Sequence, residues 1–283
     1  MKRCRRLVSG LAGLVGLTFS VLAHGPLHEQ ITNVTAQLAR HPEDVALLLH
    51  RGELNRLDER SHEARADFLH AQRLTPDSVA PQLGLGRLAL DLNQPAEAVT
   101  ALASFVAHET NHVEGHLLLA RALVRSGHAE AAVAHFNRAL TVSADPRPEW
   151  FIERSRAQIA RPGANQAEAL AGLDEGLAKL GPVPNLQLAA IELELQRAAF
   201  DNALHRLDTV IALSERQEHW LMQRGDILRQ ADRISQARSA YVAASKAVEM
   251  LPARQQRTLA MTGFRREVEA RLASLPPAPE PAP

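Results

Sequence analysis

Cysteine is almost absent: Cys4 is the only one in 283 residues. It stands ahead of an apolar run near the start of the chain, too early to be a lipoprotein cysteine. Beyond it, no disulfide framework and no thiol nucleophile can be assembled. An excess of basic charge is lacking too, since 32 Lys and Arg face 32 Asp and Glu. A balance of this kind excludes a broad nucleic-acid-binding surface. The signatures of common catalytic chemistry are also missing. There is no Gly-rich phosphate loop, no GxSxG elbow and no HExxH. Acidic pairs such as Asp174–Glu175 and Glu192–Glu194 fall on helical stretches and suit solvated faces. Ser126 and His128 share a polar turn with nothing to complete a triad. The chain is therefore expected not to be an enzyme.

What is present is repetition. Segments recur every 34 residues, with one interval of 37, opening at Val45, Val79, Val113, Arg147, Pro184 and Glu218. A period of this size belongs to a stack of small units, not to one globule. Position 20 of each unit is alanine: Ala64, Ala98, Ala132, Ala169, Ala203 and Ala237. Position 24 is large: Phe68, Leu102, Phe136, Leu173, Leu207 and Tyr241. Position 8 is small in four units, as Gly52, Gly86, Ala120 and Gly225. Each unit holds two apolar runs of helical period split by a short polar break, such as Leu57–Glu63. Small residues at 8 and 20 let two antiparallel helices approach, and the residue at 24 fills the space beside them. The three extra residues of the fourth unit fall near Ala160–Gln166, where Pro162 and Gly163 mark a lengthened turn.

These small, aromatic and proline positions resemble the tetratricopeptide repeat family, most closely in 45–78 and 218–251. The resemblance covers about Val45 to Leu251. It implies an all-α fold, a right-handed α-solenoid of antiparallel helix pairs. The six pairs would be 45–78, 79–112, 113–146, 147–183, 184–217 and 218–251. The fourth and fifth depart most, with Ile191 at the usual glycine position and Glu215 where a proline is common. Residues 24–44 read as the second helix of a missing first unit, with Ile31, Val34 and Leu38 as its apolar stripe. Residues 252–275 read as a closing helix whose inward residues are Leu259, Phe264, Val268 and Leu272. The Pro/Ala-rich tail, 276–283, reads as disordered.

The first 23 residues differ. Lys2, Arg3, Arg5 and Arg6 precede an apolar run from Leu7 to Leu22, and small residues lead to Ala23. This is the pattern of a secretory signal cleaved after Ala23. The run is short and interrupted by glycines, which weighs against a retained anchor. Membrane contact is expected only through the uncleaved signal. Sec and twin-arginine export both remain open. Cleavage removes four basic residues and leaves an acidic excess of four. The expected compartment is periplasmic or secreted.

In the family, the first helices line a concave groove at positions 2, 5, 9 and 12, and that assignment is carried over by resemblance. Position 5 is apolar throughout: Leu49, Leu83, Leu117, Phe151, Leu188 and Met222. Glu53, Arg87 and Arg121 stand at position 9. The expected partner is a peptide or helix of another protein, with Arg87 and Arg121 (and Arg125 nearby) holding a carboxylate. Two plainer readings compete: position 5 packs against the neighbouring helix, and the arginines pair with Glu53, Asp91 and Glu114. Leu49 and Glu53 replace the Lys and Asn of the chaperone-binding clamp, which argues against that function. An apolar stripe could also meet a second copy of the chain, giving self-association.

Eleven of 13 histidines precede residue 136. His108, His112 and His116 have a metal-ligand spacing, but the repeat register divides them between two helices and a turn. Cleavage after Ala23 would make His24 the new N-terminus. Its amine and imidazole, with His28, could then hold a copper-like ion. A metal-handling accessory protein is thus the alternative function, and otherwise no cofactor is expected.

Overall fold

The computed structural model describes residues 18–277, and among these there are fifteen helices and no strand. The chain divides at Gly127–His128 into two compact units. The first contains α1 (Thr18–Leu38), α2 (Val45–Leu57), α3 (Ser61–Leu74), α4 (Ala80–Asp91), α5 (Pro95–His108) and α6 (Val113–Arg125). The second contains α7 (Ala129–Val142), α8 (Pro148–Ile159), α9 (Gln166–Leu180), α10 (Pro184–Gln196), α11 (Phe200–Leu213), α12 (Glu218–Gln230) and α13 (Ile234–Glu249). It closes with α14 (Ala253–Gln256) and α15 (Leu259–Ala273). Within each unit, consecutive helices pack in pairs and each pair packs on the next, so the architecture is a stack of helical hairpins. First helices also touch one another, α2 with α4, α4 with α6, and α8 with α10.

The repeat positions have direct steric meaning. A Cβ on Gly86 would lie 2.4 Å from Leu102 Cγ, and one on Gly225 would lie 2.4 Å from Tyr241 Cε1. The large residue at position 24 therefore sits on top of the glycine at position 8, not beside it. Ala98 and Ala237 are fully buried at the same crossings. The fourth repeat inverts this arrangement. Its first helix is bulky there, with Phe151 and Arg154 buried, and the room comes from Gly172 and Gly176 on α9.

The turn inside each pair follows a rule that the sequence hides. Position 15 is left-handed in five repeats: Glu59, Asn93, Gly127, Ala198 and Asp232 all have φ between 54° and 79°. In four of these the following N–H returns to the carbonyl of position 11, as in Arg60 N to Asn55 O at 2.8 Å and Ala199 N to Glu194 O at 2.9 Å. This is the Schellman closure of a helix end, normally made by glycine. Ala198 has no side-chain hydrogen bond to offset the strain of its φ of 54°. Ala198→Gly is expected to raise stability by about 1 kcal/mol, read as a higher thermal midpoint. An unchanged or lower midpoint would contradict the strain.

Three features of the ends differ from expectation. The N-terminal helix is longer than a helix starting at residue 24, since α1 begins by Thr18 and carries Pro26 inside it. Ile31, Val34 and Leu38 are buried against α2. The closing segment is broken, because Thr258 caps a new helix by accepting from Met261 N at 3.3 Å. That break sets the register of α15. Met261, Phe264 and Val268 are buried, Leu272 is partly buried, and Leu259 at the first turn is 93% exposed. The expected inward place of Leu259 is thus taken by Met261. Of the expected signal segment, 1–23, the first 17 residues lie outside the described residues, as do residues 278–283 of the expected tail, 276–283. Among the described residues no helix is long and apolar enough to cross a membrane.

Candidate functional site

The first three repeats present a tight ion-pair lattice where a carboxylate-binding groove was expected. Arg87 donates to both oxygens of Glu114, at 3.0 and 2.7 Å, and its Nη1 lies 3.8 Å from Glu53. Arg56 donates to both Glu53 oxygens, at 3.0 and 2.7 Å, and to Asp91. Burial pushes the Glu53 carboxyl upward, but its hydrogen bond to Arg56 and the charges of Arg56 and Arg87 hold it below the ordinary range. The Arg56 guanidinium is held further into its charged form, first by the Glu53 hydrogen bond. Two guanidiniums thus face three carboxylates around a depression of about 290 Å³. An incoming carboxylate would have to displace Glu114 before Arg87 could receive it. Arg121 is also engaged, and Arg125 donates to Leu90 O at 3.0 Å. The plainer reading of Arg87, pairing within the protein, describes what the structure contains.

Position 5 also divides. Leu49, Leu83, Leu188 and Met222 are partly buried, whereas Leu117 is 5% exposed and Phe151 is fully covered. Phe151 cannot line a groove, because it fills the space above Gly176, where a Cβ would lie 2.9 Å from its ring. Met222 packs into the cluster that includes Met261 and Phe264. Asp226, at position 9 of the sixth repeat, accepts from Arg271 Nε of α15 at 2.8 Å. Position 9 of that repeat is therefore held by the chain itself.

An open groove remains between α8 and α10. It has a volume of about 490 Å³. Ile152 and Ile159 come from α8, and Leu188, Ala189 and Leu193 come from α10, giving an apolar floor. Ser155, Arg156, Asn185, Glu192 and Gln196 complete it. Arg156, Asn185 and Glu192 are exposed, and among the described residues their side chains have no hydrogen-bonding or ionic partner. This combination differs from the lattice of the first repeats. A cation, an anion and an amide are all uncommitted beside surface that gains from leaving water. Of the residues at the expected groove positions, the structure brings Leu188 (position 5) and Ser155 and Glu192 (position 9) into this groove. Arg156, Ile152, Ala189 and Leu193 were missed because they lie at positions 6 and 10, and Asn185 stands at position 2, which the resemblance includes but where no residue had been singled out. A search for charged residues lacking a complementary partner in the neighbouring repeats would have pointed to Arg156.

The three histidines at metal-ligand spacing have local structural roles. His108 ends α5 with Nδ1 3.1 Å from Ser104 O. His112 caps α6 by accepting from Gly115 N at 3.0 Å, and its ring meets Phe105 edge-on at 4.9 Å. His116 is buried, with Nε2 3.0 Å from Thr110 O. Among the described residues no three His, Cys, Asp or Glu side chains converge on a common point suited to a metal. His28 is exposed, and the His24 side chain lies outside the described residues.

The geometry defines an all-α protein of stacked helical hairpins, the α-solenoid class. Residues 83–148 match the family model described as tetratricopeptide repeat. The fold is similar to the C-terminal part of a TPR repeat-containing protein from Cytophaga hutchinsonii, with a TM-score of 0.68 and 12% identity over 89% of this chain and 97% of that one. It is similar also to a tetratricopeptide repeat protein from Parabacteroides merdae, with a TM-score of 0.54 and 13% identity over 89% and 95% of the two chains. A third similar structure is YrrB, described as a TPR protein with an unusual peptide-binding site. Its TM-score is 0.54, at 15% identity over 64% of this chain and 92% of that one. At these identities the likeness is one of fold. No curated protein matches the sequence.

Proposed function

We propose that the protein is a non-catalytic interaction scaffold of the cell envelope, and that it receives a segment of another protein in the groove between α8 and α10. The observation that carries this reading is the pairing of an apolar floor with unpaired Arg156 and Glu192 in one groove. Charge complementarity defines the occupant. It carries one or more apolar side chains flanked by an acidic residue for Arg156 and a basic residue for Glu192, with Asn185 free to bond its main chain. The peptide-binding site named for YrrB supports a peptide as the class of ligand on this fold. Export is supported by the basic residues and apolar run before Ala23. A cut there would place Pro26 in the first turn of the remaining helix, where proline's missing N–H costs no hydrogen bond.

A random-peptide library selected on the whole protein tests this reading. Enriched segments are expected to hold opposite charges on either side of an apolar residue. The double variant Arg156→Glu with Glu192→Lys should weaken them at least about tenfold. It should in turn prefer segments with the two charges exchanged. Segments that bind both proteins equally would place the site elsewhere.

A further inference from the structure

The opposite side of the fifth repeat carries a buried carboxylate without a hydrogen bond. Glu194, at position 11 on α10, is 1% exposed, and its Oε2 has no partner. It lines a cleft of about 360 Å³ together with Gln187, Asn202, His205, Arg206 and Thr209. Two guanidiniums form long ion pairs with it but no hydrogen bond. Arg206 Nη2 lies 3.7 Å from Oε1, and Arg197 Nη1 lies 3.9 Å from Oε2. Arg206 is committed to Asp174 of α9, donating at 2.8 and 3.1 Å, so that pair is internally neutral. Arg197 is a partly exposed side chain that a guest could displace.

The placement is not unique to this repeat. Position 11 of the first repeat is Asn55, 3% exposed, whose Oδ1 is likewise unpartnered and which lines a cleft of about 530 Å³ among α1, α2 and α3. The other four repeats have Ala89, Leu123, Ala157 and Leu228 there. A buried ion without hydrogen bonds is costly, and apolar residues serve the same position elsewhere in the chain. We propose that the cleft between α10 and α11 is a second binding site, which takes a primary ammonium group onto Glu194, either from a partner's lysine or from a free alkylamine. An ammonium has three N–H donors. Side chains that carry oxygens to accept them line the cleft: the Glu194 carboxylate, the Asn202 amide and the Thr209 hydroxyl, whose own proton goes to His205 O at 3.2 Å. The volume exceeds what one water fills.

The test is a titration of the isotope-labelled full chain, with the Thr209 and Asn202 resonances as reporters. Three probes are added separately: n-butylammonium, a blocked lysine-containing tripeptide, and tetramethylammonium. Saturable shifts are expected with butylammonium. Glu194→Gln, which keeps the side-chain shape, should weaken binding at least about tenfold. Arg197→Ala removes the competing cation and should tighten it about threefold. Tetramethylammonium carries the charge but no N–H, and it should not compete. If the lysine peptide also saturates the site, the ligand is a protein side chain; if butylammonium alone does, it is a small amine. The absence of any saturable shift would overturn the proposal. So would equal competition by tetramethylammonium, or weaker binding in Arg197→Ala. The last two arms hold even if Glu194→Gln fails to fold.

Discussion

Tyr241→Ala is expected to destabilise the C-terminal repeats by about 3–5 kcal/mol, the cost of emptying a large aromatic site in a packed core. Tyr241 is fully buried, and its ring covers Gly225. Its hydroxyl donates to Asp226 Oδ1 at 2.8 Å, and the same oxygen accepts from Arg271 Nε at 2.8 Å. One side chain therefore joins α12 to α13 and, through Asp226, joins both to α15. Tyr241→Phe keeps the ring and loses one hydrogen bond, so about 1–3 kcal/mol is expected from a bond to a charged acceptor. Stacked repeats need not unfold in one step, so hydrogen exchange of α12–α15 is the proper readout beside the urea midpoint. Burial, and next the hydrogen bond to Asp226, push the phenol up to about 12. The folded value lies above the unfolded one of about 10. The stabilisation is therefore complete below about pH 10 and is lost as pH rises towards 12. Tyr241 is the only tyrosine in the chain, so phenolate absorbance reports it alone. A folded protein whose phenol ionises near the unfolded value would contradict this packing.

Much of the fold was legible because steric demands repeat. Glycine at 8, alanine at 20 and a large residue at 24 recur in phase, and a period of 34 residues admits few architectures. The turns were less legible. Glu59, Asn93, Ala198 and Asp232 adopt a conformation normally signalled by glycine, so only Gly127 could be read. The inversion in the fourth repeat was hidden for a related reason. Arg154 looks like a surface residue, yet its Nη1 donates to Asn137 Oδ1 at 3.0 Å and its Nη2 to Gly172 O at 2.9 Å, which leaves the side chain 6% exposed. At the start of α15 the cap at Thr258 was missed, so Leu259 was placed inward although Met261, three residues before Phe264, holds that place in the stripe, while Phe264, Val268 and Leu272 face inward as expected.

The site was less legible than the fold, since it depends on pairings between repeats. Arg87 and Glu114 are 27 residues apart, and Arg56 and Asp91 are 35 apart. Position numbering within one repeat shows neither pair. Once these pairs are placed, the first repeats hold no uncommitted arginine at the expected anchors. The groove of α8 and α10 differs because Arg156 and Glu192 meet no counterpart among the described residues.

Leu188 is the apolar side chain that this groove shares with the sequence-level expectation, and it lines the groove together with the two uncommitted charges. Leu188→Glu removes apolar contact worth about 1.5–3 kcal/mol and puts an unpaired carboxylate against a bound apolar residue. The expected loss of affinity is about 100-fold or more. Arg87→Gln changes the lattice of the first repeats and leaves this groove intact. The decisive measurement is therefore calorimetric titration of one library-selected peptide into the wild type, Leu188→Glu and Arg87→Gln. Loss of binding in Leu188→Glu, with Arg87→Gln unchanged, is the predicted result. Full binding in Leu188→Glu together with loss in Arg87→Gln would contradict the account and return the site to the first three repeats.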